Sequence, residues 1–187
     1  MMKKIWILLP ALLSVSLIAC DAKKEEKEAM PKTEKTIDES KDSFSEVALK
    51  KQFETPNGDF VSLENILTQH QGKPVVIDVW ASWCPDCIKG FPELKSLQQK
   101  YPEAVYVFLS LDRAVEKWKE AIEKYELSGE HYYLNETMKG EFGQSIELDW
   151  IPRYIVVDAE GNIALKKAIV ANDPILINTL ESLQTTK

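Results

Sequence analysis

The sequence predicts an α/β domain in which helices cover both faces of a mixed β-sheet. Two predominantly apolar runs, 75–80 and 105–111, have the composition of strands that are buried on both faces of a sheet. The segments after them carry apolar residues at helical spacing, and the chain closes with a hairpin pattern followed by a helix. Strands that alternate with helices and then a terminal hairpin indicate a sheet with both parallel and antiparallel pairs.

The first 19 residues are predicted to be a signal peptide. Lys3 and Lys4 form a basic start, and the apolar stretch 5–19 is shorter than the roughly 20 residues that a membrane-spanning helix needs. Residues 17–20 resemble a bacterial lipobox, in which Cys20 is lipidated and becomes the first residue of the mature protein. The alternative is an ordinary secretory signal that is cut elsewhere and leaves Cys20 without a role.

Residues 20–44 are predicted to be a disordered, charged tether that leads to one domain, 45–187. Lys, Glu and Asp dominate the stretch 21–42, which has no aromatic residue and only Ile37 as a branched apolar one. Such a segment cannot bury enough surface to offset the entropy that it would lose on ordering.

The charge and the histidines argue against two classes of function. The 187-residue chain has a net charge of −7 and a pI near 5.0, whereas nucleic-acid binding needs a concentrated basic surface. His70 and His131 are far apart and lack metal-ligand spacing, so each is interpreted as an ordinary polar or core residue. No cofactor is expected.

The elements of the N-terminal half follow from turn signals and apolar spacing. A short hairpin over 53–61 turns at Pro56-Asn57-Gly58-Asp59, and Ser62 or Asn65 is expected to cap a helix before the first buried strand. The helix after that strand contains Pro92, which is expected to kink it. Its apolar stripe consists of Ile88, Phe91, Leu94 and Leu97.

The C-terminal half is predicted in the same way. A second amphipathic helix follows the strand 105–111, and its stripe consists of Ala114, Val115, Trp118, Ala121, Ile122 and Tyr125. Trp118 is therefore interpreted as core packing. An antiparallel hairpin is predicted with strands over 154–158 and 163–170, and a closing helix over 174–183.

The most informative motif is Cys84-Pro85-Asp86-Cys87, which opens a helix directly after the strand 75–80. Unpaired N–H groups and the macrodipole at a helix N-terminus favour the thiolate form of Cys84. One turn of the helix then holds Cys87 within bonding distance. This arrangement is typical of a dithiol/disulfide exchange site.

The order of the elements resembles the thioredoxin fold. Together with the signal, the tether and the extra N-terminal hairpin, it makes the chain similar to the membrane-anchored TlpA/ResA-like thiol-disulfide oxidoreductases. The segment 77–84 is similar to the thioredoxin strand that ends at the nucleophile, and Asp78 is the acid six positions before it. Pro92 and Ile151-Pro152 lie where the family has its helix proline and its cis-proline loop.

The sequence departs from this family at two places. Arg153 follows the proline where the family usually carries Thr, which bears on how a partner is recognised. The segment 127–150 does not follow the short thioredoxin pattern, so its topology has no prediction.

The resemblance implies roles for three residues. Cys84, nearest the helix N-terminus and expected to be the exposed sulfur, is the attacking thiolate. Cys87 resolves the mixed disulfide and releases the partner. Asp78 is the candidate proton acceptor for Cys87, with a pKa raised by burial beneath the cysteines. The alternative is a carboxylate that only bonds to the backbone at a strand end.

The residues around the proline loop are predicted to bind the partner. A cis Pro152 would place the backbone of Ile151 beside Cys84, where an extended partner segment could pair with it. An ordinary trans proline at a strand start is the alternative. Trp83 is expected to form an apolar rim around the sulfur, and Trp80 to pack inside the domain.

Asp86 bears on the direction of electron flow. Its negative charge, close to the sulfurs, opposes a second negative charge on Cys84 and keeps the pKa of that thiol higher. Because this destabilises the reduced form, the site is predicted to be a reductant.

Three other functions are weaker alternatives. A peroxiredoxin shares the fold, but Ile77 and Ala81 occupy the positions where the peroxidatic motif needs Pro and Thr or Ser. A soft-metal carrier for copper or zinc lacks histidine ligands beside the cysteine pair. A purely structural disulfide would close too small a loop to stabilise a binding module.

The predicted function is an extracytoplasmic, membrane-tethered thiol-disulfide oxidoreductase that reduces disulfides of envelope proteins. The resemblance suggests apocytochrome haem-attachment cysteines, as in cytochrome c maturation, or other misoxidised envelope proteins as substrates. A reductant in an oxidising compartment needs an electron donor, here a transmembrane thiol protein. We expect a monomer on the periplasmic side of a bacterial membrane, held by its lipid.

Overall fold

The structure is a computed structural model that describes residues 43–184. The predicted signal peptide over 1–19, the predicted lipidation of Cys20 and nearly all of the predicted tether lie outside the described residues. Between residues 43 and 184, no helix is both long and apolar enough to cross a membrane. Phe44, the last residue of the predicted tether, is buried against the core, so the packed part of the chain includes it.

The described residues form one seven-stranded mixed sheet. Its strands are β1 (Gln52–Glu54), β2 (Phe60–Ser62), β3 (Val75–Trp80), β4 (Val105–Ser110), β5 (Glu130–Tyr133), β6 (Arg153–Val157) and β7 (Ile163–Ala168). They are ordered β2-β1-β5-β4-β3-β6-β7. The pairs β3–β4 and β4–β5 are parallel, whereas β6 runs antiparallel to both β3 and β7. The predicted mixed sheet is thereby confirmed.

Six helices accompany the sheet between residues 43 and 184. They are α1 (Glu46–Lys50), α2 (Leu63–Gln69), α3 (Pro85–Lys100), α4 (Val115–Tyr125), α5 (Glu141–Ser145) and α6 (Pro174–Gln184). Ser62 caps α2, where its hydroxyl accepts a hydrogen bond from the N–H of Asn65 at 3.2 Å, so the first of the two predicted caps is correct. Pro92 lies inside α3, as predicted.

β3 is the central strand that leads to the cysteine pair. All six of its residues are buried, which requires packed groups on both faces because successive side chains point to opposite sides of a sheet. Each large apolar side chain so buried contributes roughly 1.5–3 kcal/mol. This burial explains why five of the six residues of β3 are apolar, and it gives the site a rigid base.

The segment 127–150 contains two short elements that the sequence did not predict. β5 lies between β4 and β1, where Tyr133 pairs with Glu54, and it thereby joins the N-terminal hairpin to the rest of the sheet. α5 follows it. Elements of four and five residues are too short to show a periodic pattern, and the same holds for α1.

Candidate active site

The cysteine pair lies where β3 passes into α3. The N–H of Cys84 donates to the carbonyl of Ala81 at 3.1 Å, which closes the turn between the two elements. Cys84 is the N-cap of the 16-residue α3, with an extended backbone (φ −88°, ψ 109°). Pro85 takes the first helical position, where its missing N–H leaves no bond unmade. Cys84 therefore lies at the positive end of a long helix.

Cys84 and Cys87 are joined by a disulfide bond, with their Cα atoms 5.3 Å apart. The N–H of Cys87 also donates to the Sγ of Cys84 at 3.2 Å. In the reduced protein this N–H and the helix dipole would stabilise a thiolate at Cys84. The two predicted redox residues are thus directly bonded.

The predicted exposure of the Cys84 sulfur is wrong for this disulfide form. Cys84 exposes 4% of its surface and Cys87 1%, so Cys84 is only slightly the more accessible of the two. The cause is the loop before β6, because the carbonyl oxygen of Ile151 lies 3.5 Å from the Sγ of Cys84. A partner sulfur must reach Cys84 through a narrow opening or displace part of this loop.

The Ile151–Pro152 peptide bond is cis, as predicted, and the backbone of Ile151 lies beside Cys84. A sulfur in a disulfide has no hydrogen to donate, so the 3.5 Å contact is a hydrogen bond only when Cys84 is a thiol. In that form the S–H donates to the Ile151 carbonyl. The contact therefore favours the thiol of Cys84 over its thiolate.

Asp78 lies in β3 and is 3% exposed. Burial raises the pKa of Asp78 to about 8, and a hydrogen bond from the Tyr154 side chain opposes this rise only in part. The two residues face each other in the β3–β6 register. Within the described part of the chain, Oδ1 of Asp78 has no hydrogen-bond partner. Asp78 is thus a buried acid that meets a side chain, not a carboxylate that bonds to the backbone.

Asp112 is a site residue that sequence reasoning missed. It is 2% exposed, and its carboxylate accepts hydrogen bonds from the N–H of Ser82 at 3.1 Å and from the Ser82 hydroxyl at 2.6 Å. The hydroxyl of Ser110 donates to it at 2.8 Å. Because β3 and β4 are parallel, their carboxyl ends meet at one edge of the sheet. That topology is the signal that could have paired Ser82 with Asp112.

Arg153, where the sequence departs from the family pattern, points into the protein. It is 2% exposed, and its guanidinium pairs with the carboxylate of Asp149. The guanidinium also donates to the carbonyl oxygens of Ile146 and Glu147, at 3.5 and 3.4 Å. Arg153 therefore braces the loop that leads to Pro152 and presents no charge to a partner.

A cavity of about 290 Å³ opens beside the proline loop. Pro152 and Tyr154 line one side of it, and the exposed side chains of Trp150, Ile169 and Val170 add apolar surface. The α3 side of the cavity consists of Asp86, Lys89, Gly90 and Glu93. The carboxylate of Asp86 lies 4.0 Å from the ammonium of Lys89, in an exposed pair.

The tryptophans near the motif lie in different environments. Trp83 is 48% exposed directly before Cys84, and the guanidinium of Arg113 lies 6.0 Å from the centre of its ring. Trp80 and Trp118 are fully buried, which confirms their predicted packing. Trp83 is therefore the tryptophan next to the disulfide that a partner can touch.

The two histidines make local contacts. The Nε2 of His70 lies 2.9 Å from a carboxylate oxygen of Glu130, and the Nε2 of His131 lies 2.9 Å from the carbonyl oxygen of Leu127. The His131 ring also stacks on Phe108. Over the residues that the structure describes, no group of three or more side chains is arranged to hold a metal ion.

Known proteins with similar sequences share the region around the disulfide. Residues 72–163 match a family described as thioredoxin-like. The thiol:disulfide interchange protein DsbE of Haemophilus influenzae is 30% identical over 111 residues, which cover 59% of this chain and 59% of that protein. The soluble secreted antigen MPT53 of Mycobacterium tuberculosis is 28% identical over 91 residues, or 49% of this chain and 51% of that protein. The chain thus spans less than two thirds of these curated relatives.

A solved structure extends the similarity to most of the described residues. The thioredoxin domain of a thiol-disulfide oxidoreductase from Bacteroides vulgatus has a TM-score of 0.60 and 27% identity to this chain, and the match covers 75% of this chain and 96% of that one. The predicted thioredoxin-like fold, with helices around a mixed sheet and an N-terminal hairpin, is confirmed.

Proposed function

We propose that this chain, which belongs to the thioredoxin-like thiol-disulfide oxidoreductases, reduces disulfide bonds of proteins outside the cytoplasm through Cys84 and Cys87. One observation carries the proposal. The Cys84–Cys87 disulfide lies at the N-terminus of α3 with the Ile151 carbonyl 3.5 Å from its first sulfur. This arrangement places a redox-active cysteine pair next to a stretch of backbone with which an extended partner segment can pair.

Exchange begins when the thiolate of Cys84 attacks a disulfide of the partner. A bond forms between the Sγ of Cys84 and one partner sulfur, and the other partner sulfur leaves as a thiolate that takes a proton from solvent. Cys87 then loses its proton and attacks the Sγ of Cys84. The first partner sulfur is displaced and protonated. The partner leaves with two thiols, and the enzyme is left with its disulfide.

Asp78 is the proposed acceptor of the Cys87 proton. Gly90 lies one turn after Cys87 on α3, and a Cβ on it would be 4.0 Å from the hydroxyl of Tyr154, which bonds to Asp78. The acid therefore lies beneath the first turns of this helix. A pKa of about 8 is close to that of an ordinary thiol, so the proton can pass between the two groups without a large energy difference.

One feature of the site supports a reductant. Asp86 places a negative charge two residues after Cys84, and its exposed pair with Lys89 neutralises that charge only in part. This charge works against the stabilisation of the Cys84 thiolate by the Cys87 N–H. A less stable thiolate makes the reduced form a better electron donor.

The proposed partner docks as an extended segment beside Ile151. Exposed apolar side chains flank this position on both sides, from Trp83 before the disulfide to Trp150 and Ile169 at the cavity. These surfaces suit the apolar neighbours of a cysteine in an unfolded or misoxidised protein. A folded protein would rarely offer such a segment.

We further propose that the chain acts in a bacterial envelope, facing outside the cytoplasm and held to a membrane by a lipid on Cys20. The sequence pattern of 1–20 supports this location. Disulfides form in that oxidising compartment, so a reductant has substrates there and needs a transmembrane thiol donor. Apocytochrome haem-attachment cysteines and misoxidised envelope proteins are the proposed substrates.

The test is to trap the mixed disulfide. In the full-length Cys87→Ala variant, a partner captured by Cys84 cannot be released, so disulfide-linked proteins should accumulate and dissociate on reduction. The matched control is the double variant Cys84→Ala, Cys87→Ala, which retains Cys20. Equal recovery of partners from both variants, or no linked partner from either, would contradict the proposal.

A further inference from the structure

Tyr154 lies between the buried Asp78 and the cavity beside the active site. Its side chain hydrogen-bonds to Asp78, which it faces across the β3–β6 pair. The same side chain lines the cavity of about 290 Å³. A space of this size holds several water molecules, each of which takes about 30 Å³. Tyr154, which is itself only 1% exposed, therefore lies between the buried acid and the wall of a space large enough for water.

Gly90 is the helix residue that lies over the Tyr154 hydroxyl. It lines the same cavity, and the atom that an added Cβ would meet is the hydroxyl oxygen of Tyr154, at 4.0 Å. A longer side chain at this position would cover the hydroxyl.

Asp78 itself is closed off from water. It is 3% exposed, and among the described residues its Oδ1 finds no hydrogen-bond partner. A proton that Asp78 accepts from Cys87 must leave before the next exchange cycle. Tyr154 is a polar side chain that both contacts Asp78 and lines the cavity.

We propose that Tyr154 is a positioning residue that orients Asp78 and relays its proton to water in the cavity. This inference rests on the proposed function, in which Asp78 accepts the Cys87 proton. The protonated carboxyl donates its proton to the hydroxyl oxygen of Tyr154, while the hydroxyl proton passes to a water molecule. One proton enters the phenol and one leaves it, so no charged phenolate forms.

The groups around Tyr154 suit this transfer. Burial and the nearby Asp78 hold the pKa of Tyr154 well above its ordinary value, so the phenol stays neutral throughout. Glu93 of α3 also faces it with negative charge, and the same wall of the cavity carries Asp86 and Lys89. The opposite wall, from Ile169 onward, is formed by apolar residues and Asn172. The carboxylates can accept the proton from cavity water.

The test compares Tyr154→Phe with the matched control Tyr106→Phe in the full-length protein. Tyr106 is another buried phenol of the sheet, and its hydroxyl donates to the carbonyls of Leu97 and Tyr101. The reduced protein is mixed with the aromatic disulfide dithiobisnitrobenzoate in a stopped-flow instrument. The first thionitrobenzoate is released when Cys84 attacks, and the second when Cys87 resolves the mixed disulfide.

In Tyr154→Phe the second phase should slow about tenfold at neutral pH, as expected for part of a general acid–base contribution. The midpoint of its pH profile should rise by about one pH unit, because the Asp78 carboxylate loses a donor. The first phase should change less than twofold. Tyr106→Phe should leave both phases unchanged.

A double variant separates the relay from a structural role. Adding Tyr154→Phe to Asp78→Asn should cause no further slowing, because Tyr154 acts only through Asp78. Further slowing in the double variant, or a second phase in Tyr154→Phe that matches Tyr106→Phe in rate and midpoint, would overturn the inference. The reagent reacts with any accessible thiol and needs no protein partner. The two rates can therefore be measured, and the inference tested, even if the trapping experiment captures no protein.

Discussion

The carboxylate of Asp112 holds the hydroxyl of Ser82 at 2.6 Å and the N–H of the same residue at 3.1 Å. Ser82 precedes Cys84 by two residues, and Asp112 follows the neighbouring parallel strand β4. A buried carboxylate with three donors thus fixes the loop that leads to Cys84. Reactive groups depend on such supporting contacts for their geometry.

Removing this carboxylate should destabilise the protein and loosen the cysteine loop. Asp112→Ala leaves the donors of Ser82 and Ser110 without their acceptor, and we expect the free energy of unfolding to fall by about 2–3 kcal/mol. Asp112→Asn retains an acceptor oxygen and should lose about 1 kcal/mol. Urea unfolding of the oxidised proteins measures both. Similar stabilities for wild type and Asp112→Ala would refute the assignment.

Asp149 should contribute more to the stability of the fold than its exposed side chain suggests. Its side chain is 60% exposed, but it is the counter-charge of the buried Arg153. Asp149→Ala leaves that guanidinium buried without a carboxylate, so the free energy of unfolding should fall. Glu120→Ala is the control, because it removes a pair that is exposed on both sides, with Lys117, and should lower the free energy of unfolding much less. Equal small losses would show that Arg153 does not depend on Asp149.

The stability of the oxidised protein should fall as the pH rises from about 4 to about 8. The pKa of Asp78 is 3.8 in an ordinary environment and about 8 in the fold, so in this window the folded state binds one proton more than the unfolded state. Each pH unit then lowers the free energy of unfolding by at most about 1.4 kcal/mol, and outside the window the contribution is constant.

Asp78→Asn should remove this slope, whereas Glu64→Gln, at an exposed position of α2, should leave it in place. Denaturant unfolding at a series of pH values is the measurement. Curves for wild type and Asp78→Asn that run parallel across the window would contradict the burial argument.

Asp86 should keep the reduction potential low. We expect a wild-type potential closer to that of thioredoxin, about −270 mV, than to that of the strong oxidant DsbA, about −120 mV. Asp86→His replaces the negative charge, makes the Cys84 thiolate more stable and should raise the potential by about 30 mV or more, with Asp86→Asn between the two. Equilibration with a glutathione or dithiothreitol couple measures it. An unchanged or lower potential in Asp86→His would reject this role.

The sequence predicted the parts of the site that depend on local pattern. β3 and α3 are long enough to show their period, and the Cys84–Cys87 spacing defines a pair on one helical turn. The cis bond at Pro152 followed from the resemblance to a known family.

The remaining features arise from contacts between distant parts of the chain. Asp112 meets Ser82 only because two strands end at the same edge, and the pocket for Arg153 is made by the preceding loop. The burial of Cys84 depends on Ile151, 67 residues later. Contacts of this kind cannot be predicted from the periodicity of a single segment. β5 and α5 were missed for another reason, because they are too short to show a periodic pattern.

The enclosure of the disulfide by the Ile151 loop has a kinetic consequence. An incoming thiolate must line up with the sulfur–sulfur axis, and a small free thiol gains no compensating contacts when it enters the gap next to Trp83. A protein that docks its own chain there is aligned by the surrounding surface. The oxidised protein would therefore react slowly with small thiols and oxidants. Its disulfide would receive electrons mainly from a specific protein donor that docks at this position.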